Sequence, residues 1–377
     1  MEWNPGRLSA SYKGLTITFL PKEYALFSFL YEHAGQSFTR EQLLNAVWPM
    51  ENPVDRTVDD HIYRLRKKAA RFAPAVQIET VRSVGYRLVA ANGSEEANPL
   101  RHSASFSSEL QHIADTYLKY GRGDALLMLS QNKDVLGYEA GPASQILYRF
   151  MEGDIRFIVD EEPYSFADRA FFLLFLNQLI DPLQNRKFVE AAVTHQLLPG
   201  PWQNELSAMS IISFSLDWGD YKQALDKLTA LSAEAEEHCW EGLLPYTANL
   251  KLEYAMHGSD RAAIEESILH AEKLLERYPY QREEGQYWLL RGIAIYVDDP
   301  RQGLSWLNQG LELLRKSQFI LNLMRGIAMA KGFSKRHDWD KAYAMLEAEW
   351  EKLSKRTGMK SIEERIPQQL QMHLGSL

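Results

Sequence analysis

Asp55-Arg56-Thr57-Val58-Asp59-Asp60-His61-Ile62-Tyr63-Arg64-Leu65-Arg66-Lys67-Lys68-Ala69-Ala70-Arg71-Phe72 is the stretch on which the fold turns. Val58, Ile62, Leu65, Ala69 and Phe72 recur at steps of 4, 3, 4 and 3. At about 100° per residue these positions share one side of a helix, opened by Asp55 or Thr57 and closed by Pro74. The opposite side carries Arg56, Asp60, Tyr63, Arg64, Lys67 and Arg71, flanked by His61, Arg66 and Lys68. The apolar stripe fixes which face is buried, and the face left for solvent is dominated by positive charge.

The flanking residues supply the rest of a small domain. Pro21 suits a first helical turn, and Tyr24, Phe27, Leu30, Tyr31 and Ala34 follow at helical spacing until Gly35. Thr39-Arg40-Glu41-Gln42 is a capping-box pattern opening a second helix that ends before Pro49. Leu15-Thr16-Ile17-Thr18-Phe19 alternates as a short strand. Val76 to Val81, then Arg82-Ser83, then Val84 to Leu88 reads as a β-hairpin with Gly85 near its turn. Three helices and a terminal hairpin predict a winged helix-turn-helix of α+β type over residues 1–90.

An exposed cationic helix fits the major groove of double-stranded DNA, where an arginine can hold guanine O6 and N7 while its neighbours neutralise phosphates. Arg64 is the expected base reader. A charge run alone is more often a solvated helix face. The hairpin adds a second contact that such a face does not require, since Arg82 at its turn can enter an adjacent minor groove.

These segments, together with Pro21-Lys22-Glu23-Tyr24-Ala25-Leu26 and Thr80-Val81-Arg82-Ser83-Val84-Gly85-Tyr86-Arg87, closely resemble the OmpR/PhoB-type winged-helix DNA-binding domain. The resemblance covers about the first quarter of the chain. It implies that Arg56, His61, Arg64 and Arg66 are helix contacts to DNA, that Arg82 is the wing contact, and that Trp48 to Val54 is a loop facing RNA polymerase. Three departures stand out. No receiver domain is expected ahead of the DNA-binding unit, so receiver phosphorylation is not the expected switch. Leu20-Pro21 replaces the usual Thr-Pro pair and lacks its capping hydroxyl, at a cost of about 1 kcal/mol. Asp60 puts a carboxylate on the DNA face, where it repels phosphate but can accept from cytosine N4.

The 377-residue chain is long enough for two or three folding units, and its composition is that of a globular protein. Its net charge of −8 divides unevenly. Residues 1–92 hold 12 Lys+Arg against 9 Asp+Glu and the remainder 30 against 41, giving +3 and −11. A basic head on an acidic body suits a polyanion-binding module attached to a self-solubilising one. Ala170 to Ile180 is too short and too polar to span a membrane, and the N-terminus shows no secretory pattern, so a cytoplasmic protein is expected. The single cysteine, Cys239, cannot form an intramolecular disulfide, and His238 beside it makes a weak metal pair, so no metal or cofactor is expected.

A turn-rich linker is placed at 91–104, and residues 105–377 read as helical almost throughout. Aligned turn segments end at Ala125, Ile158, Ala191, Ala224, Ala263, Gly303 and Ala342, separated by 33, 33, 33, 39, 40 and 39 residues. A small residue one turn into the second helix of each hairpin lets a neighbour approach, and Ser361 to Leu374 is expected to cap the array. The alternative is an unrelated set of amphipathic helices in a bundle. The region resembles tetratricopeptide-like solenoids, although its later spacing exceeds their usual length of about 34 residues. The fold class is therefore mainly α, a winged helix followed by an all-α tetratricopeptide-like solenoid. Such fusions also occur in SARP-type activators, and solenoids of this kind commonly bind peptides, small molecules or proteins.

Asn249, Arg291, Asn322 and Arg325, on the first helices of hairpins, carry groups suited to a peptide backbone or carboxylate and are the candidate effector contacts. Trp202, Trp218, Trp288, Trp306, Trp339 and Trp350 read as inter-helix core. Phosphate-loop, His-Glu-x-x-His, Gly-x-Ser-x-Gly and paired Cys-x-x-Cys motifs are absent, so catalysis is not expected. The resulting expectation is a DNA-binding transcription regulator, with a homodimer carrying two heads as its candidate assembly, governed by an effector at its repeats. The alternative is a constitutive adaptor whose repeats recruit a protein partner without any small effector.

Overall fold

The computed structural model describes residues 2–12, 14–48, 55–72, 76–81, 84–90, 100, 103–138, 140–160, 163–258 and 260–375. The chain divides into two compact units, Met1–Ala114 with Leu127–Ala140, and Asp115–Leu126 with Gly141–Leu377. Residues 105–114 and 127–140, which the sequence reading assigned to the C-terminal region, thus group with the N-terminal unit.

The N-terminal unit opens with an antiparallel meander of β1 (Glu2–Asn4), β2 (Ser9–Tyr12) and β3 (Leu15–Thr18). Then come α1 (Pro21–Glu32), β4 (Ser37–Thr39), α2 (Arg40–Val47), α3 (Asp55–Ala69), β5 (Val76–Val81) and β6 (Gly85–Ala90). The second sheet has the order β4-β6-β5, and the β5–β6 pairing closes from Val76↔Ala90 to Val81↔Gly85. Sequence reading found β3 and the hairpin but not β1, β2 or β4, each only three or four residues long. β3 is no longer, but its Leu15-Thr16-Ile17-Thr18 alternates, whereas Glu2-Trp3-Asn4, Ser9-Ala10-Ser11-Tyr12 and Ser37-Phe38-Thr39 do not repeat an apolar position, and their partners supply the register.

Side chains fix the helix starts. Gln42 N donates to Thr39 Oγ1 at 3.1 Å and Thr39 N donates to Gln42 Oε1 at 2.8 Å, completing the capping box of α2. At α1, Leu20 has no hydroxyl, but its N–H donates to Glu23 Oε2 at 3.0 Å, so half of a capping box survives. Leu26, Phe27 and Leu30 of α1, Leu43 of α2, Val58, Ile62 and Leu65 of α3 and Leu88 of β6 are almost wholly buried in one core. The α3 stripe read from the sequence is therefore the face that holds this helix down.

Two helices run across the division between the units, α4 (Ala104–Lys119) and α5 (Gly123–Gln131), and the short α6 (Lys133–Leu136) follows in the N-terminal unit. The C-terminal unit continues with α7 (Pro142–Met151), α8 (Phe166–Ile180), α9 (Pro182–Thr194), α10 (Gly200–Asn204), a π-helical turn at Glu205–Ser210, and α11 (Ile211–Trp218). It then runs through α12 (Tyr221–Glu237), α13 (Leu244–Gly258), α14 (Arg261–Arg277), α15 (Gln281–Tyr296), α16 (Pro300–Lys316), α17 (Ile320–Arg336), α18 (Asp340–Thr357) and α19 (Arg365–Leu374). The Ala170 to Ile180 run lies in α8, with Phe172, Leu173, Leu174 and Leu176 wholly buried. Among the described residues no helix is long and apolar enough to cross a membrane.

From α11 to α18 the helices pack as consecutive hairpins, and the first helix of each hairpin also touches the first helix of the next. Asp220, Asp260 and Asp299 cap α12, α14 and α16, Asp220 accepting from one backbone N–H of the first turn and the other two from two each. Ala224 near the start of α12 and Ala342 near the start of α18 are wholly buried. At Gly303 an added Cβ would lie 2.8 Å from Tyr296 Cδ2 and 3.0 Å from Gly292 O, so α15 and α16 approach more closely than a larger residue allows.

Two sequence expectations fail before this point. Ile158 lies in a 3-10 turn (Arg156–Val159) and Ala191 in the second half of α9, so neither marks the start of a hairpin's second helix. Helix α19 does not close the far end of the series. It packs on α8 and α9, burying Ile366, Leu370 and Leu374, with His373 stacked on Phe166 at 4.1 Å and Arg365 paired to Asp160 at 3.0 Å. Its three apolar residues at helical spacing need a partner surface, and the apolar α8 supplies one.

Candidate nucleic-acid interface

Helix α3 presents Arg56, Asp60, Tyr63, Arg64 and Lys67 to solvent, the turn Ala70–Phe72 after it adds Arg71, and His61, Arg66 and Lys68 are half-buried at the margins. The exposed face thus offers four cations and one carboxylate. Lys67 Nζ stands 4.6 Å over the Tyr63 ring, which steadies the long lysine chain without neutralising it. Arg82, the expected wing contact, and residues 49–54 of the expected polymerase-facing loop lie outside the described residues.

The marginal residues hold the helix in place. Arg66 donates from Nε to Ile78 O and from Nη2 to Thr80 Oγ1, both at 2.8 Å, tying α3 to β5. His61 uses Nδ1 against Thr57 O at 2.8 Å, and its ring meets Trp48 edge-on at 5.0 Å, which leaves Nε2 as its outward nitrogen. Lys68 pairs with Glu23 at 2.5 Å. Burial pushes the Glu23 carboxyl up, but Lys68, the Leu20 N–H and Arg64 outweigh it and hold the group below its usual value.

A second anchor was not read from the sequence. Asp59 Oδ1 accepts from Arg40 Nε at 2.8 Å and from Tyr86 OH at 2.7 Å, joining α3 to α2 and β6. Burial raises the Asp59 pKa, and the Tyr86 and Arg40 hydrogen bonds bring it below its usual value. The Tyr86 phenol is pushed up by burial and by the carboxylate it donates to. Adjacent Asp59 and Asp60 look alike in sequence, yet one is fixed to two elements and the other faces solvent. On the hairpin, Arg87 pairs with Glu79 at 2.8 Å and donates to Gln131 O at 3.0 Å.

A helix clamped along one face by an apolar stripe and at its edges by Arg66, Asp59 and Lys68 keeps its cations aimed outward. Together with the β5–β6 hairpin, this geometry defines a winged-helix DNA-binding domain. Residues 14–88 match the family described as "Transcriptional regulatory protein, C terminal", and the N-terminal region is a DNA-binding domain of OmpR/PhoB type. The chain is similar to the transcriptional regulatory protein VxrB of Vibrio cholerae serotype O1, at 41% identity over 80 residues, 21% of this chain and 31% of that one. It is also similar to the heme response regulator HssR of Staphylococcus aureus, at 37% identity over 86 residues, 22% of this chain and 38% of the relative. The chain spans about a third of the length of these curated relatives.

The candidate effector residues do not form one site. Asn249 is buried, its Nδ2 donating to Glu283 O at 2.9 Å. Arg325 is committed to Glu253 at 2.8 Å and Asp217 at 3.3 Å. Arg291 lies 4.0 Å from Glu272 and over the Trp306 ring at 5.0 Å. Only Asn322 borders the cavity of about 530 Å³ in the C-terminal unit. Trp202, read as core, lines the same cavity while stacking on Phe171 at 4.5 Å. The other tryptophans singled out include Trp288 against Trp306 at 5.7 Å and Trp339 stacked on Tyr296 at 4.6 Å. Among the described residues no group of three or more His, Cys, Asp or Glu is placed to hold a metal ion.

Proposed function

We propose that the chain is a transcription regulator that docks α3 in the major groove of duplex DNA and responds to an effector through its C-terminal helical-repeat region. The observation that carries this reading is the outward face of α3, where Arg56, Arg64, Lys67 and Arg71 stand exposed on a helix fixed from behind. Arg64, central on that face, is the base reader, and Arg56, Lys67 and Arg71 serve phosphates. Arg82, between β5 and β6 in the chain, is the contact to the adjacent minor groove on this reading, and residues 48–54 the contact to RNA polymerase. The consecutive hairpins of the C-terminal unit favour a tetratricopeptide-like reading of that region. An effector with unequal affinity for two arrangements of this region shifts DNA occupancy by that difference, and a homodimer would couple two heads to it.

Genome-wide footprinting with the purified full chain, repeated with Arg64→Ala, tests the DNA reading. Discrete protected sites whose preference weakens in the variant support it. Absence of duplex capture at low ionic strength overturns it. The chemistry is that of a binding protein and not of an enzyme.

A further inference from the structure

The cavity in the C-terminal unit, about 530 Å³, falls within the range of small-molecule sites. Phe171, Phe175, Trp202, Met209 and Phe319 supply much of its apolar wall. Into this wall the π-helical turn at Glu205–Ser210 sets a carboxylate, since Glu205 begins that turn and borders the cavity. Single π turns recur at functional sites because the extra residue re-aims a side chain.

The charges around the cavity are unevenly satisfied. Glu241 is paired with Lys119 at 3.3 Å, and Arg282 is taken by Glu283 at 2.6 Å. Outside the cavity lining, Arg325 serves both Glu253 and Asp217. Glu205 accepts a neutral hydrogen bond from Ser210 Oγ at 3.2 Å, and among the described residues no cation lies within ion-pair distance of it. Burial drives its carboxyl above the usual range against the weaker pull of Ser210 and Arg282. The cations on the cavity wall, Lys119 and Arg282, are both paired, with Glu241 and Glu283, and neither is paired with Glu205. The aromatic rings of Phe171, Phe175 and Trp202 border the cavity, and aromatic ring faces attract positive charge.

We propose that this cavity binds a small hydrophobic ammonium compound, with its cation against Glu205 and its aryl or alkyl group among Phe171, Phe175 and Trp202. The proposal rests on the reading of the C-terminal region as the effector-binding part and gives that effector a chemical class. An ammonium offsets the cost that burial puts on the ionised Glu205 carboxylate, which a neutral ligand does not do and an anionic one increases.

Isothermal titration of the full chain with 4-phenylbutylammonium, 4-phenylbutanol and 4-phenylbutyrate tests this. The expected order is ammonium tightest, by at least tenfold over the alcohol, and carboxylate weakest. Glu205→Gln should erase the ammonium preference and leave the affinity for the alcohol within about twofold, which also reports an intact cavity. Equal affinities, a preference for the carboxylate, or a retained ammonium preference in Glu205→Gln overturns the proposal. If the variant does not fold, the ranking on the unaltered chain decides alone. Gel retardation on a footprinted site, with and without the ammonium probe, separates the two readings. Ammonium binding that leaves DNA affinity unchanged supports the site and counts against effector control, whereas no binding by any probe overturns the site and leaves the DNA reading standing.

Discussion

Arg64 and Arg66 lie two positions apart, and the fold gives them different work. Arg64 is exposed in the middle of the α3 face, whereas Arg66 spends its guanidinium on Ile78 O and Thr80 Oγ1. Arg64→Ala should therefore relax site discrimination by about 1–3 kcal/mol and leave the urea midpoint unchanged. Arg66→Ala should lower stability by about 1–2 kcal/mol and weaken all duplexes alike, because α3 loses its tie to the hairpin. Competition gel shifts and urea melts of both variants check this, and an unaltered melt for Arg66→Ala would return that residue to the phosphates. His257 offers a test in the other unit. Burial, with Arg336 and Arg325 nearby, lowers its pKa from 6.5 to about 4. The unfolded chain takes up this proton at higher pH than the folded one, so the contribution is full above pH 6.5 and is lost as pH falls toward 4. With its partial exposure allowed for, about 1–2 kcal/mol is at stake. His257→Asn should flatten the fall of the melting temperature across that window, and equal slopes for the two proteins would reject the assignment.

Elements with a repeating apolar pattern were legible, the four-residue β3 included, and elements without one were not. Helix α3 runs 15 residues, enough for its stripe to repeat, and its buried and exposed positions match the periodic reading. Strands β1, β2 and β4 offered no comparable repeat. The Arg325 pairing with Glu253 spans 72 positions, and nothing local distinguishes such an arginine from one that faces solvent. Turn chemistry was readable from Asp220 onward because each capping aspartate sits just before its helix. It fails at Ile158, where the Gly153-Asp154 turn leads into a 3-10 turn and not into the second helix of a hairpin. Gly303 is the clearest case of a readable element contact, a small residue one turn into α16 where α15 comes close. Gly303→Val should cost about 1–3 kcal/mol by forcing the two helices apart, read as a lower urea midpoint. A neutral outcome would mean that the hairpin tolerates wider packing than its geometry implies.

Across the whole molecule the charge is divided by sequence position, +3 over residues 1–92 and −11 over the remainder. The negative part repels a polyanion, so attraction to DNA must come from few cations in a small area, and at physiological salt charges more than about 8 Å away are largely screened. Binding should then depend on counting phosphate contacts, each contributing about 0.9 to the slope of log affinity against log salt. Arg71 is exposed at the C-terminal end of the α3 face, in the turn Ala70–Phe72, where it can reach the backbone rather than a base. Arg71→Ala should reduce the slope by about 1 and weaken specific and non-specific duplexes equally. Arg66→Ala should weaken binding while leaving the slope near that of the unaltered chain, because its guanidinium is already bonded within the domain. Fluorescence anisotropy from 50 to 300 mM salt distinguishes the two, with the salt range set by where roughly 3–6 phosphate contacts lose measurable affinity. An unchanged slope for Arg71→Ala together with a flattened one for Arg66→Ala would mean that the hairpin tie breaks on binding and that α3 docks by its other edge.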